Sequence, residues 1–154
     1  SYRAALLARA QSRLCQLSSA SYADLFEAVL GANEGAFAEP PAPCLTHDDL
    51  NPNNIVLSRK HVGGWRIAGI LDFEAAWSGG AEPDLARLDF WHGMTSNRFW
   101  RAYQELAPIS DSFVRRKQLL QFLWCLEYAR RTPEHLGITA SLCADLGIAP
   151  VTFE

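Results

Sequence analysis

Residues 45–57, LTHDDLNPNNIVL, decide how this chain is read. One His, two Asp and three Asn fall within the eight positions from His47 to Asn54, and the chain then turns apolar at Ile55, Val56 and Leu57. Those three residues predict a short strand, 58–64 a turn, and 65–73 (WRIAGILDF) a second, longer strand. The pair reads as a β-hairpin. Its strands run antiparallel, so the residue before the first and the residue near the end of the second meet at one end, roughly 5 Å apart. Asn54 and Asp72 are therefore expected to be neighbours.

That geometry has a chemical meaning. A loop bearing Asp49 and Asn54, closed by a hairpin that returns Asp72, gathers oxygen-bearing side chains at one mouth. Mg²⁺ takes octahedral oxygen ligands from one or two carboxylates, an amide and a nucleotide's phosphates, so Asn54 with Asp72 can supply the protein share. Asp49 is then free to act as a base, accepting the proton of an attacking hydroxyl. Taken alone, HDDLNPNN is also ordinary turn material, and Asp72 alone reads as a strand-end cap. The second motif at hairpin distance favours the catalytic reading.

The sequence pattern His47, Asp49, Asn54, then Ile70-Leu71-Asp72-Phe73-Glu74, resembles the catalytic loop and metal-binding motif of the aminoglycoside phosphotransferase family, which are kinase-fold enzymes that phosphorylate small molecules. The resemblance makes Asp49 the catalytic base, Asn54 and Asp72 the Mg²⁺ ligands, and His47 a residue that shapes the loop. Pro83-Asp84-Leu85-Ala86 resembles the segment that follows the metal motif in that family, where the Asp supports the catalytic loop from a helix N-terminus. It implies ATP or GTP as phosphoryl donor. Asp48 departs from the pattern by standing where Gly is usual, either as a like charge acting on Asp49 or as a solvent-facing side chain. Asn51 stands where Ser/Thr protein kinases carry a Lys, and eleven residues separate Asp72 from Asp84, too few for an activation segment. Both features favour a small-molecule acceptor. With Asp48, Glu74, Asp84 and Asp89 the cleft is expected to be acidic and to suit a hydroxylated cation such as an aminosugar.

Around this centre the chain reads as helices. Apolar residues recur with helical period over 4–17 (Leu6, Leu7, Ala10, Leu14, Leu17); a second helix opens at Ser21 and closes at Gly31, with Leu25, Phe26, Val29 and Leu30 buried. The segment 38–43, AEPPAP, is extended. Helical patterns follow over 84–94, 96–106, 111–131 and 138–146. The fold class is thus α+β, mainly helical, and the resemblance makes it the C-terminal lobe of a protein-kinase-like fold in which helices and hairpin share a core. Trp91, Trp100 and Trp124 read as core residues.

Composition narrows the partners. At 154 residues, with 49% hydrophobic and 20% charged residues, the chain suits one core. A net charge of -3 and scattered basic residues, apart from Arg115-Arg116-Lys117, speak against nucleic acid. No apolar run approaches the roughly 20 residues of a membrane helix. Cys15, Cys44, Cys125 and Cys143 lack disulfide or metal spacing and read as reduced core thiols of a cytoplasmic protein.

The residues before His47 show no alternating strands and no glycine-rich loop. Both lysines, Lys60 and Lys117, follow the catalytic loop. A kinase fold places its phosphate-covering loop and strand lysine ahead of that loop, so an N-terminal nucleotide lobe of the same protein is expected as a partner, and little activity without it. Two other readings stand beside the kinase one. They are a non-catalytic kinase-like binding module, and a metal phosphohydrolase using His47 and Asp48 with His61, His92 or His135.

Overall fold

Ala23, Phe26, Val29 and Leu30 line the buried face of the second helix, and Leu6, Ala10 and Leu14 that of the first. A spacing of three or four residues is the repeat that puts side chains on one helical face. The computed structural model describes residues 1–91 and 94–153, and in it the chain divides into two units, 1–41 with 110–154 and 42–109.

The first unit is helical. Helices α1 (Tyr2–Leu17) and α2 (Ala20–Ala32) precede a single 3-10 turn at Glu34–Phe37. In the same unit Phe113–Tyr128 packs on both, and Pro133–Leu146 packs on it. The core is formed by Leu6, Ala10, Leu14, Phe26, Leu30, Leu119, Phe122, Leu126, Leu142 and Cys143, all buried. Polar groups tie the helices together. Arg13 Nε lies 2.8 Å from Glu127 Oε1, a carboxylate whose side chain is only 2% exposed. Arg116, 1% exposed, donates to the carbonyls of Ala36 and Glu39 and to Ser110 Oγ. Arg115 donates to Asn33 Oδ1 at 2.8 Å and to the Asp145 carbonyl at 2.7 Å. Two members of the short basic run are therefore used inside the fold, where carbonyl and hydroxyl acceptors offset the cost of burying a guanidinium.

The second unit holds all four strands. Strand β1 (Cys44–Thr46) leads into the polar loop, a 3-10 turn covers Pro52–Asn54, and β2 (Ile55–Arg59) pairs antiparallel with β3 (Trp65–Ile70). Gly63 and Gly64 close the hairpin at φ 47 and 91, a backbone conformation that costs glycine nothing. Strand β4 (Trp77–Gly79) returns antiparallel against β1. A Cβ on Gly79 would lie 2.5 Å from Thr46 Oγ1, and the buried Thr46 donates to the Gly80 carbonyl at 2.7 Å. Helices α3 (Glu82–Phe90) and α4 (Asn97–Leu106) complete the unit, and the two helices that follow in the first unit are α5 and α6.

The α+β, mainly helical class is what the structure has, and several details differ from expectation. Ser19, not Ser21, caps α2, because its hydroxyl accepts from the Ser21 amide. Helix α6 starts at Pro133 rather than 138, since Thr132 caps it and proline at the first position lacks an N–H that would be orphaned anyway. The β1–β4 ladder was not foreseen. None of the tryptophans belongs to the core: Trp65 is 61% exposed, and Trp91, expected inside, is exposed as well. Trp77, Trp100 and Trp124 are half-buried. Cys125 and Cys143 are buried as expected, whereas Cys15 and Cys44 are exposed, and all four are free thiols. The hairpin contributes nothing to the core, for Leu57, Trp65 and Ile67 are all exposed.

Candidate functional site

The loop between β1 and β2 is held from two sides. His47, buried, accepts the Asp49 amide at Nδ1 (3.2 Å), which leaves the Nε2 proton to donate to the Leu71 carbonyl at 2.8 Å. Its ring centroid lies 4.5 Å from that of Phe73. Both ring nitrogens are thus engaged within the scaffold, and His47 joins the loop to the end of β3. From the other side, Asp84 in the first turn of α3 accepts the His47 amide at Oδ2 and the Asp48 amide at Oδ1, each at 2.8 Å. Burial pushes the Asp84 carboxyl above the ordinary carboxylate range; the two amide bonds oppose that shift and the nearby Asp48 charge adds to it.

Asp48 has φ 62 and Asp72 φ 64, the left-handed region that Asp tolerates better than most residues. This backbone accounts for glycine being usual at the position of Asp48. Within the loop, Asn51 Nδ2 donates to the Asp49 carbonyl at 3.0 Å and its Oδ1 accepts the Asn53 amide at 2.9 Å. The Asn residues of the opening stretch are therefore partly loop closure.

Asn54 and Asp49 meet at the mouth of the hairpin, and Asp72 follows the residue whose amide pairs with the Asn54 carbonyl. Asn54 Nδ2 donates to the Asp49 carbonyl at 2.9 Å and to its carboxylate Oδ2 at 3.0 Å. The Asn54 carbonyl accepts the Leu71 amide at 2.9 Å, which places the next residue, Asp72, one peptide unit away. With its nitrogen spent, Asn54 has Oδ1 as its remaining side-chain acceptor. The Asp72 carboxylate is exposed and makes no hydrogen bond or ion pair among the described residues. An amide oxygen and an uncommitted carboxylate on two paired segments are the donor types a hard cation takes. Asp49 Oδ1 takes a further partner, Arg87 Nη1 at 2.8 Å, from the last turn of α3.

The other acidic residues are dispersed in their roles. Asp89 accepts the Thr95 hydroxyl at 2.9 Å, Glu74 is exposed in the turn after Asp72, and Asp48 is half-buried. His61 lies in the hairpin turn, and His135 is buried in α6 with Nε2 3.0 Å from the Cys125 carbonyl. His92 is outside the described residues, among which no group of three His, Cys, Asp or Glu side chains could hold a metal ion. Sequence reasoning passed over Arg87. Its signal was the spacing of three from Asp84, which puts both on one face of a helix already expected to support the loop.

A helix-braced loop carrying Asp49 and Asn54, with Asp72 just past the strand end that pairs with Asn54, matches the arrangement expected of a kinase-like phosphotransferase. Comparison with known proteins narrows the class: the family model described as fructosamine kinase matches residues 5–142, and the chain belongs to the fructosamine kinase family. It is 26% identical over 95 residues to a "Probable ketoamine kinase" of Vibrio vulnificus (strain CMCP6). That match takes in 62% of this chain and 30% of the relative's length. No solved structure matches the chain. No helix among the described residues is long and apolar enough to cross a membrane.

Proposed function

We propose that this chain is the base- and acceptor-bearing lobe of a magnesium-dependent small-molecule kinase that transfers the terminal phosphoryl group of ATP or GTP to an acceptor hydroxyl. The observation that carries the reading is the Asn54 amide turned onto Asp49, which leaves its side-chain oxygen uncommitted on the residue whose carbonyl accepts the Leu71 amide, one position before the exposed Asp72. Asn54 and Asp72 would hold the cation, which supplies neutralisation of the charge on the transferring group. Asp49 accepts the proton of the acceptor hydroxyl and orients its oxygen for attack. His47 and Asp84 keep the loop in the conformation that presents Asp49.

Family membership and the ketoamine kinase relative support an acceptor derived from a sugar, with a ketoamine ahead of the aminoglycoside-like compounds suggested by the loop motif. The charges of Asp48, Glu74 and Asp89 would favour a cationic acceptor; Asp89, bound to Thr95, would contribute charge more than contact. The reading includes an N-terminal nucleotide lobe of the same protein, supported by the position of both lysines after the loop. Four free thiols suit a cytoplasmic setting.

The test, on the protein complete with its nucleotide lobe, is ADP or GDP release from Mg-ATP or Mg-GTP against ketoamines, aminosugars, and neutral and anionic sugars, with Asp49→Asn as control. Turnover lost in Asp49→Asn is expected, with cationic acceptors preferred. Nucleotide binding with no transfer to any acceptor would favour the non-catalytic binding module instead.

A further inference from the structure

Arg87 has no place in the loop or metal motif, yet its side chain is 8% exposed and its Nη1 lies 2.8 Å from Oδ1 of Asp49. The other carboxylate oxygen, Oδ2, receives Asn54 Nδ2 at 3.0 Å. These two donors come from separate elements, a 3-10 turn ahead of β2 and the last turn of α3. A carboxylate gripped at one oxygen still rotates about its Cβ–Cγ bond; gripped at both from independent supports, it loses that freedom. Each oxygen keeps a second lone pair, so an acceptor hydroxyl can still be bound.

Helix α3 therefore meets three consecutive loop residues through two side chains. Asp84 takes the amides of His47 and Asp48, and Arg87, three residues on and on the same face, takes the side chain of Asp49. We propose that Arg87 is the positioning residue for Asp49, fixing the plane of its carboxylate and offsetting the negative charge that a nucleotide's phosphates bring beside it. The inference rests on Asp49 being the base. Position 51, where a protein kinase loop carries a lysine, holds an asparagine occupied with loop closure. Arg87 brings a cation to the base from the helix instead. A guanidinium suits this place, since its rigid fork is always charged and tolerates burial better than an ammonium group.

Two measurements test the proposal, using Arg87→Gln and Arg87→Lys. In the 154-residue chain, exchange of the Asn54 side-chain amide protons is followed by NMR. Arg87→Gln frees the Asp49 carboxylate to rotate and speeds that exchange several-fold, whereas Arg87→Lys lies nearer the wild type; equal rates in all three proteins overturn the proposal whether or not the chain turns over. In the transfer assay, Arg87→Gln is expected to lower kcat about 10- to 100-fold, the scale of misplacing a catalytic group by about 1 Å. KM for the acceptor stays within about threefold, as expected when the lost interaction acts on the transition state alone. Arg87→Lys restores part of kcat. A dead Asp49→Asn beside an Arg87→Gln with wild-type kcat overturns the role of Arg87 and leaves the base standing. An active Asp49→Asn removes the base itself, and the positioning role with it.

Discussion

The side-chain amide of Asn54 donates to both the main-chain carbonyl and the carboxylate of Asp49, at 2.9 and 3.0 Å. One residue thus braces the candidate base with its nitrogen and keeps its side-chain oxygen out of that contact. On the proposed reading, metal binding and proton transfer are therefore separable by mutation. Asp72→Asn is expected to weaken Mn²⁺ binding, measured by paramagnetic resonance with Mn²⁺ in place of Mg²⁺, by about tenfold or more. Asp49→Asn keeps the Asn54 oxygen and Asp72 in place and leaves Mn²⁺ affinity within a few-fold. Equal loss in both variants would count against the division of labour.

The pH dependence of folding carries the signature of Asp84. Its carboxyl sits above the ordinary range because burial outweighs the two amide bonds. The folded state therefore holds the proton more tightly than the unfolded chain, so the contribution is fully present below the unfolded pKa and is lost as pH rises through the folded value. Urea denaturation of wild type and Asp84→Asn, taken upward from about pH 4, should show the wild-type advantage shrinking. An advantage that grows with pH would mean that the amide bonds win.

Arg13 and Glu127 form a bridge between α1 and α5 whose carboxylate is only 2% exposed. Arg13→Met takes the cation of this pair away from that buried carboxylate and is expected to cost about 3 kcal/mol in chemical denaturation, with Arg13→Met/Glu127→Met recovering most of the loss. A single mutant as stable as wild type would show the pair to be idle.

Ala129 ends α5 at φ 42 in the left-handed region, where a Cβ is strained. Ala129→Gly should raise stability by roughly 0.5 kcal/mol, the relief of strain exceeding the added entropy of the unfolded chain. A lower denaturation midpoint would contradict this.

Thiol reactivity separates the cysteines. Burial pushes Cys125 up to about 11 and also raises Cys44, where the charge of Asp84 adds. Because the thiolate is the reacting species, a disulfide reagent at neutral pH should modify exposed Cys15 first and Cys44 more slowly. Cys125 and Cys143 should respond only on unfolding. Rapid labelling of all four in the folded chain would contradict the burial.

The candidate site was more legible than the scaffold around it. The meeting of Asn54 with the segment of Asp72 could be read from sequence because a hairpin converts spacing into position. Arg87 could not, since its partner lies 38 residues earlier and only the packed helix reveals the meeting. Helices α1, α4 and α5 followed their apolar period to within a few residues. The β1–β4 pairing escaped because two three-residue strands 30 residues apart carry too little pattern to identify each other. The tryptophans misled for a different reason: hydrophobicity predicts a preference for burial, while exposure depends on what lies opposite.

The hairpin separates two properties that usually move together. Among the described residues its two-stranded sheet has no strand on either outer edge, and Leu57, Trp65 and Ile67 lie open to solvent. Attraction between molecules is therefore governed by residues that take no part in holding the core. Protein concentration, more than temperature, should set when this chain drops out of solution. A charge placed at Leu57 would change its colloidal behaviour while leaving the melting transition close to where it was.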